Sequence, residues 1–361
     1  MKAWVWIHRW TSLICTVFMI VLSLTGFPLI FEHELDEWLG ETIHVPDLPG
    51  VTQRANLDNV LATAVSHYPD KGGMFMSQDQ DDDRVWYVTL APAPDSESGI
   101  KQVAVDARSG DALGQLRLEG GVMNVIESIH VDLLMGLPGM LFLGGMGVLL
   151  VLSLVSGVVV YAPFARKPGF AAVRPSRGSR VRWLDAHNAL GIVTLVWFFV
   201  VGGTGVINAV ADLLVKQWQR TALAELVQPY AGHPISPVEG TLNRAVEAAR
   251  KAQPDKRVLF IAFPGTSFAS PHHYGVYMRG TTPLTARLST PVLVDVRSGA
   301  VAAVMEMPWT LKLLQISRPL HFGDYGGMPL KWIWAVLNLM SLVVLCTGLV
   351  LWFKRGARHA Q

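Results

Sequence analysis

Cysteine is nearly absent, with two in 361 residues. Both Cys15 and Cys346 fall inside long apolar runs. This excludes an exported disulfide framework, a C-x-x-C-H site for covalent haem, and thiolate clusters for zinc or iron–sulfur. Charge is also scarce: 16% of residues against 51% hydrophobic, a balance too apolar for an ordinary soluble protein. No nucleotide-binding glycine fingerprint and no hydrolase triad is present. Gly144-Gly145-Met146-Gly147 lies within an apolar run, not in a phosphate loop. No small-x-small cleavage site follows the first apolar run, where Gly26-Phe27-Pro28 leads on to Phe31-Glu32, so that run reads as a retained helix and not a leader.

What is present is a repeat. Residues 182–205 form an apolar run led by His187 and closed by Thr204-Gly205, and the N-terminus follows the same plan, with His8 leading to Thr25-Gly26. The step from histidine to glycine is 18 residues in both. That is five helical turns, which puts histidine and glycine on one face ~27 Å apart and lets the helix cross a hydrocarbon core ~30 Å thick. His130 precedes a run carrying Ser156-Gly157, and His321 precedes one carrying Thr347-Gly348, again at equal spacing. Between the runs, 57–70 matches 242–255, and V-A-V-D-A-R-S-G (103–110) matches V-L-V-D-V-R-S-G (292–299). The chain reads as two copies of one unit: membrane helix, soluble domain, membrane helix.

The expected class is therefore a membrane α-helical protein with added α+β domains. The expected segments are a span over 1–31, a soluble domain over 32–121, an interface helix and span over 122–165, a basic loop over 166–182, a span over 183–210, a second soluble domain over 211–308, and an interface helix, span and tail over 309–361. Positive charge gathers at Lys2 and Arg9, at Arg166, Lys167, Arg174, Arg177, Arg180 and Arg182, and at Lys354, Arg355 and Arg358, while the long segments are mixed or acidic, with Asp81, Asp82 and Asp83 together. The positive-inside rule then puts both termini and the short loop in the cytoplasm and both soluble segments outside.

Within each soluble copy the pattern predicts a small α+β domain. Residues 32–50 read as a connector and 57–68 as a helix, with strands at 84–90, 102–106 and 112–118. Gly110 suits the left-handed position of a hairpin turn. Second-copy strands are expected near 258–262, 274–278 and 292–296. His272 and His273 fall in what reads as a solvated loop, 267–274. A helix over 122–134 carries His130 and one over 309–320 precedes His321, and breaks follow them at Pro138-Gly139 and at 326–329 before the next span.

Of eleven histidines, His8, His130, His187 and His321 occupy matching places at the ends of spans. Two pairs related by the repeat point to function, since ionisable groups near a bilayer core are costly. Two neutral imidazoles from facing helices suit a b-type haem iron, His8 with His187 at one face and His130 with His321 at the other. Zinc wants further ligands at the same level, and near His8 and His187 the only carboxylate close in sequence is Asp185. Gly26 and Gly205 fall at the level of His130 and His321, and Gly157 and Gly348 at the level of the other pair. There they serve either the approach of a flat macrocycle or close helix packing. Arg9 and Arg318 are candidates for haem propionates, Arg9 doubling as topological positive charge.

The motifs W-I-H-R-W, S-I-H-V-D-L-L-M-G, D-A-H-N-A-L-G and P-L-H-F-G-D-Y-G-G, with V-D-x-R-S-G in the soluble parts, resemble the PepSY-associated transmembrane helix family over essentially the whole chain. The resemblance implies PepSY-like periplasmic domains, two haems b on these histidines, and a bacterial inner-membrane oxidoreductase of the ferric-siderophore reductase (FoxB) type. Its implied partners are the lipid bilayer, a ferric siderophore or other ferric chelate as acceptor, and quinol or a cytoplasmic reductase as donor, with no nucleic acid. His130 is followed by Val131-Asp132 where the family commonly has a basic residue. Two other readings stand beside it: a non-redox membrane protein whose PepSY-like domains bind or regulate a periplasmic partner, and a haem subunit serving another periplasmic acceptor.

Overall fold

A computed structural model describes the chain except for residues 52, 79–81, 119, 166–173, 175–177, 235–240 and 357–361. In chain order its helices and strands are α1 (Lys2–Leu29), α2 (Glu32–Leu39), α3 (Leu57–Ser66), β1 (Gly72–Gln78), β2 (Val85–Ala91), β3 (Lys101–Asp106), β4 (Ala112–Leu116), α4 (Val122–Asp132), α5 (Leu137–Ala165) and α6 (Ser179–Asn208). Then follow α7 (Ala211–Trp218), α8 (Ala224–Val227), α9 (Leu242–Ala252), β5 (Arg257–Ala262), β6 (His273–Arg279), β7 (Ser289–Asp295), β8 (Val301–Val304), α10 (Trp309–Phe322) and α11 (Gly327–Gly356). They divide into two units: residues 1–36, 121–212 and 317–361, and residues 37–120 and 213–316.

The first unit contains α1, α5, α6 and α11, the four helices long and apolar enough to cross a membrane, which marks a multi-pass membrane protein. They pack as a ring, α1 against α5 and α11, and α6 against α5 and α11, so α1 and α6 face each other across the diagonal. Cys15, Met19, Leu150, Trp197, Phe198 and Leu345 fill the centre, whereas residues such as Val196, 73% exposed, turn outward as a lipid-facing helix side does. One interhelical polar tie inside the ring is Asn338 Nδ2 donating to the Ser23 carbonyl at 2.8 Å. Arg166, Lys167, Arg177 and Arg358, expected in the basic segments, lie outside the described residues, as does Asp81.

The second unit corrects the expectation of two separate soluble domains. Both segments join in one eight-stranded antiparallel sheet of order β4-β3-β2-β1-β5-β6-β7-β8. The halves meet where β1 pairs with β5, Met76 opposite Ile261. Strand β1 was not anticipated, because Gly72-Gly73 and a mixed polar run mask its period-2 pattern. Residues 32–50 are likewise more than a connector, since α2 begins them. Helices α3 and α9 lie against one sheet face over a continuous apolar core that includes Val60, Met76, Val88, Val246, Ile261 and Val292.

The V-D-x-R-S-G motif proves to be a turn. Asp106 accepts from the amides of Arg108 (2.7 Å) and Ser109 (3.3 Å), and Asp295 from those of Arg297 (3.2 Å) and Ser298 (2.7 Å). Gly110 (φ 82°) and Gly299 (φ 67°) take the left-handed position that follows.

The N-termini of α3 and α9 cap each other. Asp58 accepts from the Leu242 amide at 2.8 Å and the Asn243 amide at 3.3 Å. Asn243 Oδ1 accepts from the Leu57 amide at 3.4 Å. Helix N-termini carry amides with no partner in their own helix, so Asp58→Ala is expected to destabilise the start of α9 by about 1 kcal/mol. Hydrogen–deuterium exchange of the peptide that begins α9 should then be several-fold faster; exchange unchanged from wild type removes this capping role.

Candidate functional site

The four matched histidines all lie in the first unit, and each rests on the glycine of another helix. A side-chain carbon placed on Gly26 would stand 2.9 Å from His130 Cε1, on Gly157 3.0 Å from His8 Cε1, on Gly205 3.3 Å from His321 Cε1, and on Gly348 3.6 Å from His187 Cε1. The glycines therefore seat the imidazoles. This differs from both sequence-based readings, room for a macrocycle and plain helix packing, although the levels assigned to them hold.

The seat also fixes each ring. His8 Nδ1 is 2.9 Å from the Ser153 carbonyl, His187 Nδ1 3.1 Å from that of Val344, and His321 Nδ1 3.0 Å from that of Val201. In each case this carbonyl stands four residues before the glycine, where its helix partner is the glycine amide itself. With no side chain at the glycine, the oxygen's second lone pair is open to the imidazole. Hydroxyls add to the clamp: Thr25 Oγ1 lies 2.9 Å from His130 Nδ1, Thr347 Oγ1 3.0 Å from His187 Nδ1, and Thr204 Oγ1 3.1 Å from His321 Nδ1. Each of these hydroxyls donates its own proton to a carbonyl of its helix, so toward the imidazole it only accepts. The proton therefore sits on Nδ1 in all four rings. Every hydrogen bond these imidazoles make among the described residues is at Nδ1, which leaves the Nε2 lone pairs for a ligand.

One pair of imidazoles stands in ring contact. The rings of His130 and His321 have centres 6.2 Å apart at 64°. A metal held between two imidazoles at the ~2.0–2.1 Å usual for metal–imidazole bonds sets ring centres roughly 6 Å apart. His8 on α1 and His187 on α6 lie on diagonally opposed helices of the ring. No group of three or more His, Cys, Asp or Glu suited to a metal ion occurs among the described residues. Asp185 is engaged elsewhere: only 5% exposed, it holds Arg174 at 3.0 and 2.6 Å. Two imidazole nitrogens alone do not complete a zinc site, whereas haem iron needs no more than two nitrogens from the protein.

The remaining candidates divide. Arg9 Nε is buried without a hydrogen-bond partner among the described residues, as suits an arginine meant for an anionic group, and its guanidinium lies 5.5 Å from the Trp10 ring. Arg318 is exposed, one turn before His321 on α10. Asp132, which stands where a basic residue was noted as common, caps the turn after α4 by accepting from the Leu134 amide at 2.8 Å. Leu133 and Leu134 in that turn are both left-handed (φ 55° and 62°), a strained pair for residues with side chains. The clamping residues Thr25, Ser153, Thr204 and Thr347 were not singled out from sequence for this role. Their signal was visible, a hydroxyl directly before each of the four glycines. Before Gly157 it is Ser156, which bonds its own helix, and Ser153 meets His8 Nδ1 instead, through its carbonyl and, at 3.4 Å, its hydroxyl.

Residues 5–355 match the family described as PepSY-associated TM region. The uncharacterized protein PA4219 of Pseudomonas aeruginosa is 26% identical over 261 residues, 65% of this chain and 64% of that protein, so the chain spans just under two thirds of the relative's length.

Proposed function

The chain belongs to the PepSY-associated transmembrane family, and on that premise we propose that it is a haem-bearing electron carrier of the bacterial inner membrane that reduces ferric chelates outside the cytoplasm. The observation that carries the reading is two repeat-related pairs of histidines whose imidazole hydrogen bonds among the described residues are made at Nδ1. His8 with His187, and His130 with His321, each hold one haem b, and Arg9 pairs with a propionate of the first. Haem iron held by two imidazoles exchanges one electron between ferric and ferrous forms.

The protein's own contribution is placement. The Nδ1 clamps orient each ring and raise its basicity as a ligand, and the apolar centre around Leu150, Trp197 and Leu345 keeps water out of the space between the two levels. No nucleophile or general base is required. Ferric ion held by hard oxygen donors, as in a siderophore, loses affinity for its chelator once reduced, so one electron releases it. Quinol or a cytoplasmic reductase supplies the electron. The orientation follows the basic segments, with both termini inside and the sheet unit outside. Internal duplication is supported by the paired histidine seats and by the reciprocal caps of α3 and α9.

The test is a pyridine haemochrome assay with protein quantitation on fully loaded material. Two haems b per chain are expected. One haem per chain removes a site from this account, and colourless protein that takes up no haem overturns it.

A further inference from the structure

The second unit holds buried chemistry that its fold leaves unused. Strand alternation puts Tyr274, Val276 and Met278 of β6 into the core beneath α3 and α9, and so His273, Gly275 and Tyr277 onto the opposite sheet face. His273 is 0% exposed, which corrects the expectation of a solvated loop. Its Nδ1 lies 2.6 Å from Ser270 Oγ, while its Nε2 is buried with no hydrogen-bond partner among the described residues. The loop before β6 lies close over this face: the Phe268 carbonyl is 2.5 Å from where a side-chain carbon on Gly275 would stand, and it accepts from the Tyr277 hydroxyl at 2.9 Å. Phe260 stacks on Tyr277 at 4.1 Å and 11°.

Trp218 adjoins the same aromatic group, its ring 6.4 Å from that of Phe268. It is 3% exposed, and its Nε1–H is a second buried atom with no partner among the described residues. Well over nine in ten buried polar groups in folded proteins are paired, and each that is not typically costs about 1–3 kcal/mol. The backbone after Trp218 is also unusual, a π-helical turn over Gln219–Leu223, a feature frequent at functional sites. Tyr230, farther along this segment, packs on His273 with ring centres 4.3 Å apart. Burial lowers the basicity of His273 despite the nearby Asp295 carboxylate, so its imidazole is neutral at pH 7.

We propose that this face of the second unit binds a hydroxylated aromatic ring, a catechol or hydroquinone, with Trp218 Nε1–H and His273 Nε2 as its two oxygen-binding groups and Phe260, Phe268 and Tyr277 as its stacking surface. The aromatic side chains select a flat ring. Indole N–H only donates, so it takes one ring oxygen, and the neutral imidazole nitrogen serves the ring's second oxygen, ortho in a catechol and para in a hydroquinone, or its proton. Two sources carry this chemistry, a catecholate chelate of ferric iron and a quinol. The inference deepens the proposed function and rests on it for why such a ring arrives.

Isothermal titration calorimetry on the full-length, detergent-purified protein tests it. The probes are gallium(III) tris(2,3-dihydroxybenzoate), which is redox-inert, decylhydroquinone, and gallium(III) acetohydroxamate as the non-aromatic control. An aromatic probe should bind, the hydroxamate should bind at least tenfold more weakly, and Trp218→Phe, which keeps a ring and loses the N–H, should weaken the aromatic probe about tenfold. His273→Phe should do the same, and if it does not fold, Trp218→Phe decides. Preference for the gallium chelate makes the ring part of the acceptor, and preference for decylhydroquinone makes it part of the donor and reverses the direction of electron entry drawn above. No aromatic binding, equal hydroxamate binding, or wild-type affinity in a folded Trp218→Phe overturns the site. Ring binding by a protein without haem sinks the electron-carrier reading and spares this one; haem without ring binding does the reverse.

Discussion

Replacing His321 by alanine should halve the haem content, from two per chain to one, and abolish electron delivery to a ferric chelate added outside. The remaining haem, on His8 and His187, should still be reduced by a donor supplied from the cytoplasmic side. His187→Ala should fail in the opposite sense. Its outer haem should be reducible by dithionite and able to reduce the chelate, yet out of reach of the physiological donor. The comparison is made by optical spectra and chelate reduction in oriented vesicles. Membrane insertion and thermal unfolding of each variant are checked first, because a lost cofactor also lowers apparent stability by mass action. If both variants keep full chelate reduction from the physiological donor, the two histidine pairs do not form an electron path.

The glycine seats should show a graded response. Alanine at Gly26 puts a carbon 2.9 Å from an imidazole atom, closer than real packing allows, and at Gly157 3.0 Å, tighter than nearly all real contacts, while at Gly348 the distance is 3.6 Å, an ordinary contact. Gly26→Ala and Gly157→Ala must shift His130 and His8 against the partners that hold their Nδ1 atoms. Haem affinity at those sites should fall about 10–100-fold, the usual effect of losing a partner behind a metal ligand. Gly348→Ala should stay close to wild type, and Gly205→Ala, at 3.3 Å, should fall between. Haem retention during dilution, followed in the visible spectrum, reads the series. Equal loss at Gly26 and Gly348 removes the claim that these glycines act by seating the rings.

Much of this site was legible in the sequence, because membrane helices leave little freedom. A histidine at one end of an unbroken apolar run and a glycine five turns on must share a helix face, as for His8 with Gly26 and His187 with Gly205. The other two runs are broken before the span, and their levels came from the order of the spans. The partner of each glycine did not follow. Which helices stand side by side is decided by packing across the ring, and the carbonyl that each imidazole reaches becomes visible only once the glycine of one helix faces the histidine of another. The threonines before those glycines looked like punctuation for the same reason. In the sheet unit, the Asp-x-Arg-Ser-Gly turns were readable because their chemistry is local, carboxylate to nearby amides. Strand β1 and its junction with β5 were not, since Gly72-Gly73 weakens the alternation and the pairing joins residues far apart in sequence. His273 was misplaced by a Ser-Pro-His-His stretch that resembles a loop, yet its strand neighbours bury it.

The junction of β1 with β5 also sets a timetable for synthesis. Met76 finds its partner Ile261 only after about 185 further residues have been made, including the two membrane helices α5 and α6. At roughly 5–20 residues per second, the first half of the sheet waits on the order of 10–40 seconds with the edge of β1 unpaired. An unpaired strand edge is a template for pairing with a wrong chain. The emerging half-sheet is thus the stage at which a nascent chain is most exposed to chaperones, to proteases and to a second ribosome's product.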